Sequence, residues 1–223
     1  MFAQTAAVLR REATLEIRRP GRTSALAFFA AALLLLVAFA SPSEGALRAL
    51  AGGTLWVALL LVATRATDQS WTADLESGAL EAMVLWPVDA RALFLGKALA
   101  QTAVLLVVAA VTAPLLVAMY DARVASLSPM LIGVIVAGCF GIAAPATLLG
   151  AMTGQARGGS VLLPLLLFPL LVPGILSAAR ATMVLLEGDP MGQGDDWLRI
   201  LLAFDIVQWS AGLLLFGRVV EDG

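Results

Sequence analysis

Six long apolar stretches constrain this chain more than any other feature, because each is long enough to cross a bilayer as a helix. Spanning the hydrocarbon core takes about 20 apolar residues. The chain has 223 residues, of which 61% are hydrophobic and only 13% charged, whereas a soluble domain is usually about 25% charged. The sequence therefore predicts an all-α membrane protein, a single membrane domain over residues 1–223, with spans at residues 24–40, 47–63, 92–119, 127–152, 161–179 and 198–217.

The segment before the first span, residues 1–20, has the pattern of an amphipathic helix. Apolar side chains recur at helical spacing while Arg and Glu occupy the other faces, and Pro20 ends the pattern. This favours a helix at the membrane interface, with a solvated basic leader as the alternative. The run from Ala38 to Ser41 resembles a signal-peptidase site, but its basic region is unusually long, so we expect the first span to be retained.

The basic residues are distributed asymmetrically about the predicted spans. With the N-terminus inside, the cytoplasmic side holds Arg10, Arg11, Arg18, Arg19, Arg22, Arg65, Arg91, Lys97, Arg157 and Arg218, and the outer side holds Arg48, Arg123, Arg180 and Arg199. Cytoplasmic loops carry the excess of Lys and Arg, so both termini are predicted to be cytoplasmic. The net charge of −2 gives no basic surface of the kind that binds nucleic acid, and we expect no nucleic-acid partner.

The polar connection between spans two and three, residues 67–89, is the best place for a soluble partner to bind. Ser77 is expected to cap the start of a short helix at Gly78, and Pro87 to end that helix. Asp89 is then placed to cap span three. The result is a short cytoplasmic surface helix joined by a tight corner to a membrane helix.

One face of this short helix is apolar and could fit a groove on a partner. The face is formed by Ala79, Ala82, Met83 and Trp86, extended by Leu75, with Asp74 and Glu81 offering charge at its rim. A helix resting at the lipid headgroups, with Trp71 and Trp86 as interfacial aromatics, is the alternative.

Two features inside the spans are unusual. Pro164, Pro169 and Pro173 interrupt span five, which predicts a kinked or discontinuous helix that serves either as a hinge or as a static kink. Asp205 lies inside span six, where a charge is costly, so it should face protein or water. Its role is either gating or subunit contact, or a structural hydrogen bond, and Arg48 or Arg199 could pair with it.

Three stretches carry a resemblance to a known family. Residues 75–88, followed by Leu95-Gly-Lys-Ala98, resemble the DGSLEQLLLSPLP … AKVLA region of the haem exporter protein B (CcmB) family. Residues 157–173 are similar to its RGGVLLxLLVLPLxIP stretch, and residues 11–16 to its RRELRLAFR opening. Trp86 and the pair Trp71-Thr72 depart from the family's pattern.

The resemblance implies the permease subunit of the cytochrome c maturation ABC transporter, in the bacterial inner membrane. A separate cytoplasmic ATPase would then contact the coupling residues Leu75, Glu76, Gly78, Leu80, Glu81, Met83, Trp86 and Pro87. Further partners implied are the haem-handling membrane protein and the haem chaperone of the same pathway. Gly133, Ala137 and Gly141 give span four a small-residue face for close packing, either within the chain or on a second copy of it, which is a candidate partner too.

The sequence argues against chemistry carried out by this chain alone. It lacks a Gly-x-x-x-x-Gly-Lys-Ser/Thr loop, so it is predicted to be no enzyme, with ATP bound in the partner subunit. Haem iron is usually held by His, Cys, Met or Tyr; the chain has no His, which leaves Tyr120, Cys139 and seven methionines, with no paired axial arrangement visible. We therefore assign no metal or cofactor site and treat haem as candidate cargo. The alternatives are an exporter permease for another hydrophobic substrate, an intramembrane enzyme and a structural scaffold.

Overall fold

The computed structural model describes residues 1–78, 89–120, 129–154, 159–189 and 191–221, and these ranges are helical with no strand. The helices are α1 (Phe2–Arg18), α2 (Pro20–Ala40), α3 (Glu44–Glu76), α4 (Ala90–Met119), α5 (Pro129–Gly154), α6 (Gly159–Leu186) and α7 (Gly194–Glu221). Helices α2 to α7 are long and apolar enough to cross a membrane. The all-α prediction with six spans is confirmed.

The six long helices run alternately up and down, so their ends gather at two opposite poles. We call the pole next to α1 the α1 end; it holds the start of α2, α4 and α6 and the end of α3, α5 and α7. The opposite pole is the far end. Helix α1 packs mainly against α4 and only slightly against α2.

Helix α5 is the centre of the bundle and contacts α3, α4, α6 and α7. Its side chains from Gly141 to Ala151 are all buried. Small residues let large neighbours come close: a Cβ on Gly138 would lie 2.9 Å from Cζ2 of Trp56. Trp56 is held there because its indole Nε1 donates to Thr182 Oγ1 at 2.9 Å. Helices α2, α6 and α7 instead keep long apolar faces exposed, as expected of helices that meet lipid or another subunit.

Helix α3 is longer than the sequence predicts. Its 33 residues span about 50 Å, against about 30 Å of hydrocarbon core, and the residues beyond the predicted span include the polar side chains of its end at the α1 end. Residues 67–76, expected in the polar connection, are helical. The prediction that Ser77 starts a helix is wrong: its hydroxyl donates to the Ala73 carbonyl at 2.8 Å, and Gly78 with φ +65° ends α3.

The proline-rich helix α6 is continuous from Gly159 to Leu186, so of the two predicted forms the discontinuous helix is excluded and the kinked helix stays a prediction. Pro169 and Pro173 lie on its exposed face and Pro164 is half-buried. Prolines at the surface of a bundle remove hydrogen bonds without disturbing the packed side. Whether they form a hinge stays a prediction.

Candidate functional site

A cluster of four charged side chains, two of them buried, lies at the α1 end. Helix α1 contributes Arg11 and Glu12, α3 contributes Asp74, and α4 contributes Lys97. We call this set the charge cluster. Asp74 is 3% exposed and Lys97 is 5% exposed, so both charges depend on each other for stabilisation.

The four side chains pair crosswise. Lys97 Nζ forms an ion pair with Asp74 and lies 3.3 Å from Glu12 Oε1. Arg11 Nη2 donates to Asp74 Oδ1 at 2.8 Å, and Arg11 Nη1 donates to Glu12 Oε1 at 2.9 Å. Two cations and two anions cancel, so three helices meet at one polar point without net charge.

An aromatic layer lies beneath the charge cluster. Lys97 Nζ lies 4.6 Å from the ring centroid of Trp71, a cation–π contact. Trp71 in turn packs against Phe216 of α7, with ring centroids 6.3 Å apart. Trp71 is only 4% exposed, and therefore the interpretation of Trp71 as an interfacial aromatic is wrong.

Helix α1 is fixed to the start of α4 by close packing as well as by charge. A Cβ on Gly96 would lie 2.5 Å from Cγ1 of Val8, so only glycine lets the two helices approach this far. Gln4 Oε1 also accepts from the backbone N–H of Asp89 at 3.4 Å. Asp89 caps α4 as predicted, accepting from the Arg91 N–H at 2.9 Å.

The rest of the α1 surface stays open. Phe2 is 89% exposed and Ile17 is 77% exposed, so most of the apolar face predicted for α1 stays open, with Leu9 as its half-buried member. With one side packed against α4 and the other side open, α1 is compatible with a helix at the membrane interface.

A lateral groove opens beside the charge cluster, between α1 and α2 on one side and α4 on the other. Its volume is about 770 Å³, within the usual range of ligand cavities. Side chains such as Ala27, Ala103 and Val107 make its walls apolar, while Glu12, Glu16, Arg22, Lys97 and Gln101 give its α1 end polar groups. From Lys97 to Val111 the groove follows α4 for about 20 Å. An amphiphilic molecule would fit it with its polar part at the α1 end.

Asp205 forms a second polar feature, about halfway along α7. It is 5% exposed, and neither carboxylate oxygen has a hydrogen-bond partner among the described residues. The expectation that it faces protein is confirmed. Pairing with Arg48 or Arg199 is wrong, because each forms an ion pair with an acid on its own helix, at 3.8 and 3.4 Å.

The predicted coupling residues fall partly within the described chain. Leu75 is 42% exposed and Glu76 is exposed at the end of α3, followed by Gly78. Leu80, Glu81, Met83, Trp86 and Pro87 lie outside the described residues, and so the short helix and its contact face stay predictions. Asp74, expected as a charge at the rim of that face, is instead buried in the charge cluster.

The sequence reasoning did not find the charge cluster. A signal was present, because Glu12 and Lys97 fall inside two of the stretches that carry the family resemblance. Hydropathy gave no reason to join them, since 85 positions separate Glu12 from Lys97. Only the extension of α3 brings Asp74 into contact with Lys97 and Arg11.

The fold and the charge cluster define a multi-pass, all-helical membrane protein with a polar junction where three helices meet at one pole. The chain matches the model of the CcmB protein family over residues 3–217. Heme exporter protein B of Pseudomonas aeruginosa is 30% identical over 203 residues, which cover 88% of each chain. Heme exporter protein B of Paracoccus denitrificans is 32% identical over 175 residues, which cover 75% of this chain and 77% of the relative. The chain therefore belongs to the CcmB family.

Proposed function

We propose that this chain is the permease subunit of an ABC transporter that serves haem delivery for cytochrome c maturation. The observation that carries the proposal is the family match over residues 3–217, together with relatives whose printed name is heme exporter protein B. The chain lies in the bacterial inner membrane with both termini in the cytoplasm, as the distribution of Lys and Arg favours. The α1 end is then the cytoplasmic end.

A separate cytoplasmic ATPase docks on the polar connection and drives the permease. Two features support this location. Helix α3 is longer than the apolar layer is thick and ends in polar residues, and the charge cluster holds that end against α4. The chain therefore leaves α3 and enters α4 at two helix ends that are fixed to each other. The docking contacts are Leu75, Glu76, Gly78, Leu80, Glu81, Met83, Trp86 and Pro87.

ATP-driven motion acts on haem that a partner holds, rather than on haem ligated by this chain. The absence of histidine and the burial of the one tyrosine and the one cysteine support this division. Tyr120 is 1% exposed and Cys139 is 0% exposed, and the Tyr120 hydroxyl already donates to the Leu34 carbonyl at 3.1 Å. The partners are the haem-handling membrane protein and the haem chaperone, with a second copy of this chain across the exposed faces of the bundle.

The lateral groove favours a second candidate function, export of another hydrophobic molecule. Its apolar walls and polar α1 end suit an amphiphile of the cytoplasmic leaflet. This candidate predicts that the detergent-purified chain retains a bound amphiphile without porphyrin absorbance. The haem proposal predicts porphyrin absorbance in the assembled complex, and not in this chain alone.

Co-purification from the native host tests the docking contact. A soluble ATPase should accompany the tagged wild-type chain and be lost on Met83→Asp or Trp86→Asp, because a carboxylate in an apolar groove is strongly disfavoured. Met191→Asp is the matched control, since Met191 is 79% exposed at the far end. Retention of the ATPase by both Met83→Asp and Trp86→Asp would contradict the assigned contact.

A further inference from the structure

The charge cluster has members on both sides of residues 79–88 in the sequence. Asp74 stands three positions before Ser77, the C-cap of α3, and Lys97 lies two turns inside α4, which begins at Ala90. The ion pair between them therefore sets the separation of the two helices where the intervening residues leave one and enter the other. Both side chains are at most 5% exposed, so solvent screens the pair little.

Helix α1 is fixed to this ion pair from the side. Arg11 reaches Asp74 on α3, and the neighbouring Glu12 reaches Lys97 on α4, at 2.8 and 3.3 Å. Two adjacent residues that contact different helices restrict both the rotation and the sliding of α1. Removing one charge would leave its partner buried and uncompensated, which costs more than the pair itself contributes.

We propose that Asp74 and Lys97 are positioning residues for the docking of the ATPase, and that Arg11 and Glu12 extend their action to α1. The cluster holds the ends of α3 and α4 at the spacing the partner recognises and keeps α1 beside them. In this role the cluster does not contact ATP. The identity of the partner in this inference rests on the proposed function. The role of the cluster in holding the helix ends is independent of it.

A titration separates positioning from simple folding. Wild type, Asp74→Asn and Lys97→Gln are placed in nanodiscs, and a fixed amount of the co-purifying ATPase is titrated with increasing concentrations of folded permease. We expect the permease concentration that gives half-maximal stimulation of ATP hydrolysis to rise about tenfold in both variants. A role confined to folding would lower the amount of active permease without changing that concentration.

Matched and milder variants complete the test. Asp196→Asn and Arg199→Gln remove an exposed ion pair at the far end, with side chains 74% and 77% exposed, and should leave the half-maximal concentration unchanged. Arg11→Gln removes only the half-exposed member of the cluster, and this variant should fold even where the buried variants do not. We expect about a threefold rise in the half-maximal concentration for Arg11→Gln.

Amide hydrogen exchange tests the cluster without the ATPase. Exchange at residues 73–78 and 89–93 should become about tenfold faster in the cluster variants, while the centre of α5 stays protected. An unchanged half-maximal concentration, or unchanged exchange at these residues, in folded Arg11→Gln and Asp74→Asn would overturn the inference. If the wild-type chain neither binds nor stimulates an ATPase, the proposed function fails, and the exchange measurement alone decides whether the cluster holds the helix ends.

Discussion

Two buried aspartates show how differently the same side chain can be used. Asp74 receives Lys97 and Arg11, whereas Asp205 has no hydrogen-bond partner among the described residues. A buried carboxylate without a partner lowers the stability of the folded chain. Removing a paired carboxylate also lowers stability, because its partner then stays buried and uncompensated. The two positions should therefore respond to the same substitution in opposite directions.

We expect Asp74→Asn to lower the stability of the purified chain by about 3 kcal/mol and Asp205→Asn to raise it by about 1 kcal/mol. Thermal unfolding in detergent, followed by tryptophan fluorescence, compares the two variants directly. A lower midpoint for Asp205→Asn would mean that its carboxylate has a partner after all. If Asp205→Asn folds normally but has lost transport, Asp205 has a functional role.

Glycine substitutions test the close packing of α5. A Cβ on Gly138 would lie within 3 Å of the Trp56 ring, whereas nothing lies within 4 Å of a Cβ on Gly133. We expect Gly138→Ala to destabilise the chain by about 1–3 kcal/mol. Gly133→Ala, the matched control, should be neutral or stabilising because alanine is the better helix former. Equal melting temperatures for the two variants would contradict the packing.

At the scale of elements, hydropathy predicts where the spans lie but not where their helices end. Six apolar helices coincide with the six predicted spans over the described residues, because about 20 apolar residues in a row have few alternatives. The polar end of α3 carries no such signal, because Asp68, Ser70 and Asp74 are residue types typical of loops. This end is helical in the structure, where it packs against α4 and α5. The capping role of Ser77 was reversed for the same reason, since serine caps a start or bonds back to a carbonyl equally well.

Helix α1 could be predicted as a helix but not as a docked one. Its periodicity gave the apolar face, yet the face that packs on α4 contains Gln4, Val8 and Glu12, which no amphipathic pattern selects. The charge cluster stayed hidden because its members are far apart in sequence. Long-range pairs of this kind become visible only when the helix lengths are known.

The groove between α2 and α4 gives a prediction about cargo. If cargo passes along the groove, as the second candidate function requires, Ala103→Phe fills it from α4 and lowers transport about tenfold at normal expression and normal ATPase binding. Ala203→Phe is the matched control, since Ala203 is exposed on α7 away from the groove. Equal transport by the two variants would show that the groove is not used.

At the scale of the whole molecule, the two poles should face opposite sides of the membrane. With the buried Cys139 replaced by Ser, single cysteines at Glu76 and Met191 report on the α1 end and the far end. An impermeant maleimide should label Glu76→Cys only from the cytoplasmic side and Met191→Cys only from the outer side. Labelling of both positions from one side would contradict the arrangement of the spans, and exchanged sides would contradict the orientation.

The central claim, a permease for haem delivery that an ATPase drives, is tested most directly in the native host. The gene for this chain is deleted, and covalently bound haem in c-type cytochromes is measured by haem staining. We predict that bound haem falls about tenfold or more and is restored by the wild-type chain and by Met191→Asp, but not by Met83→Asp. Normal c-type cytochromes in the deletion strain would contradict the claim.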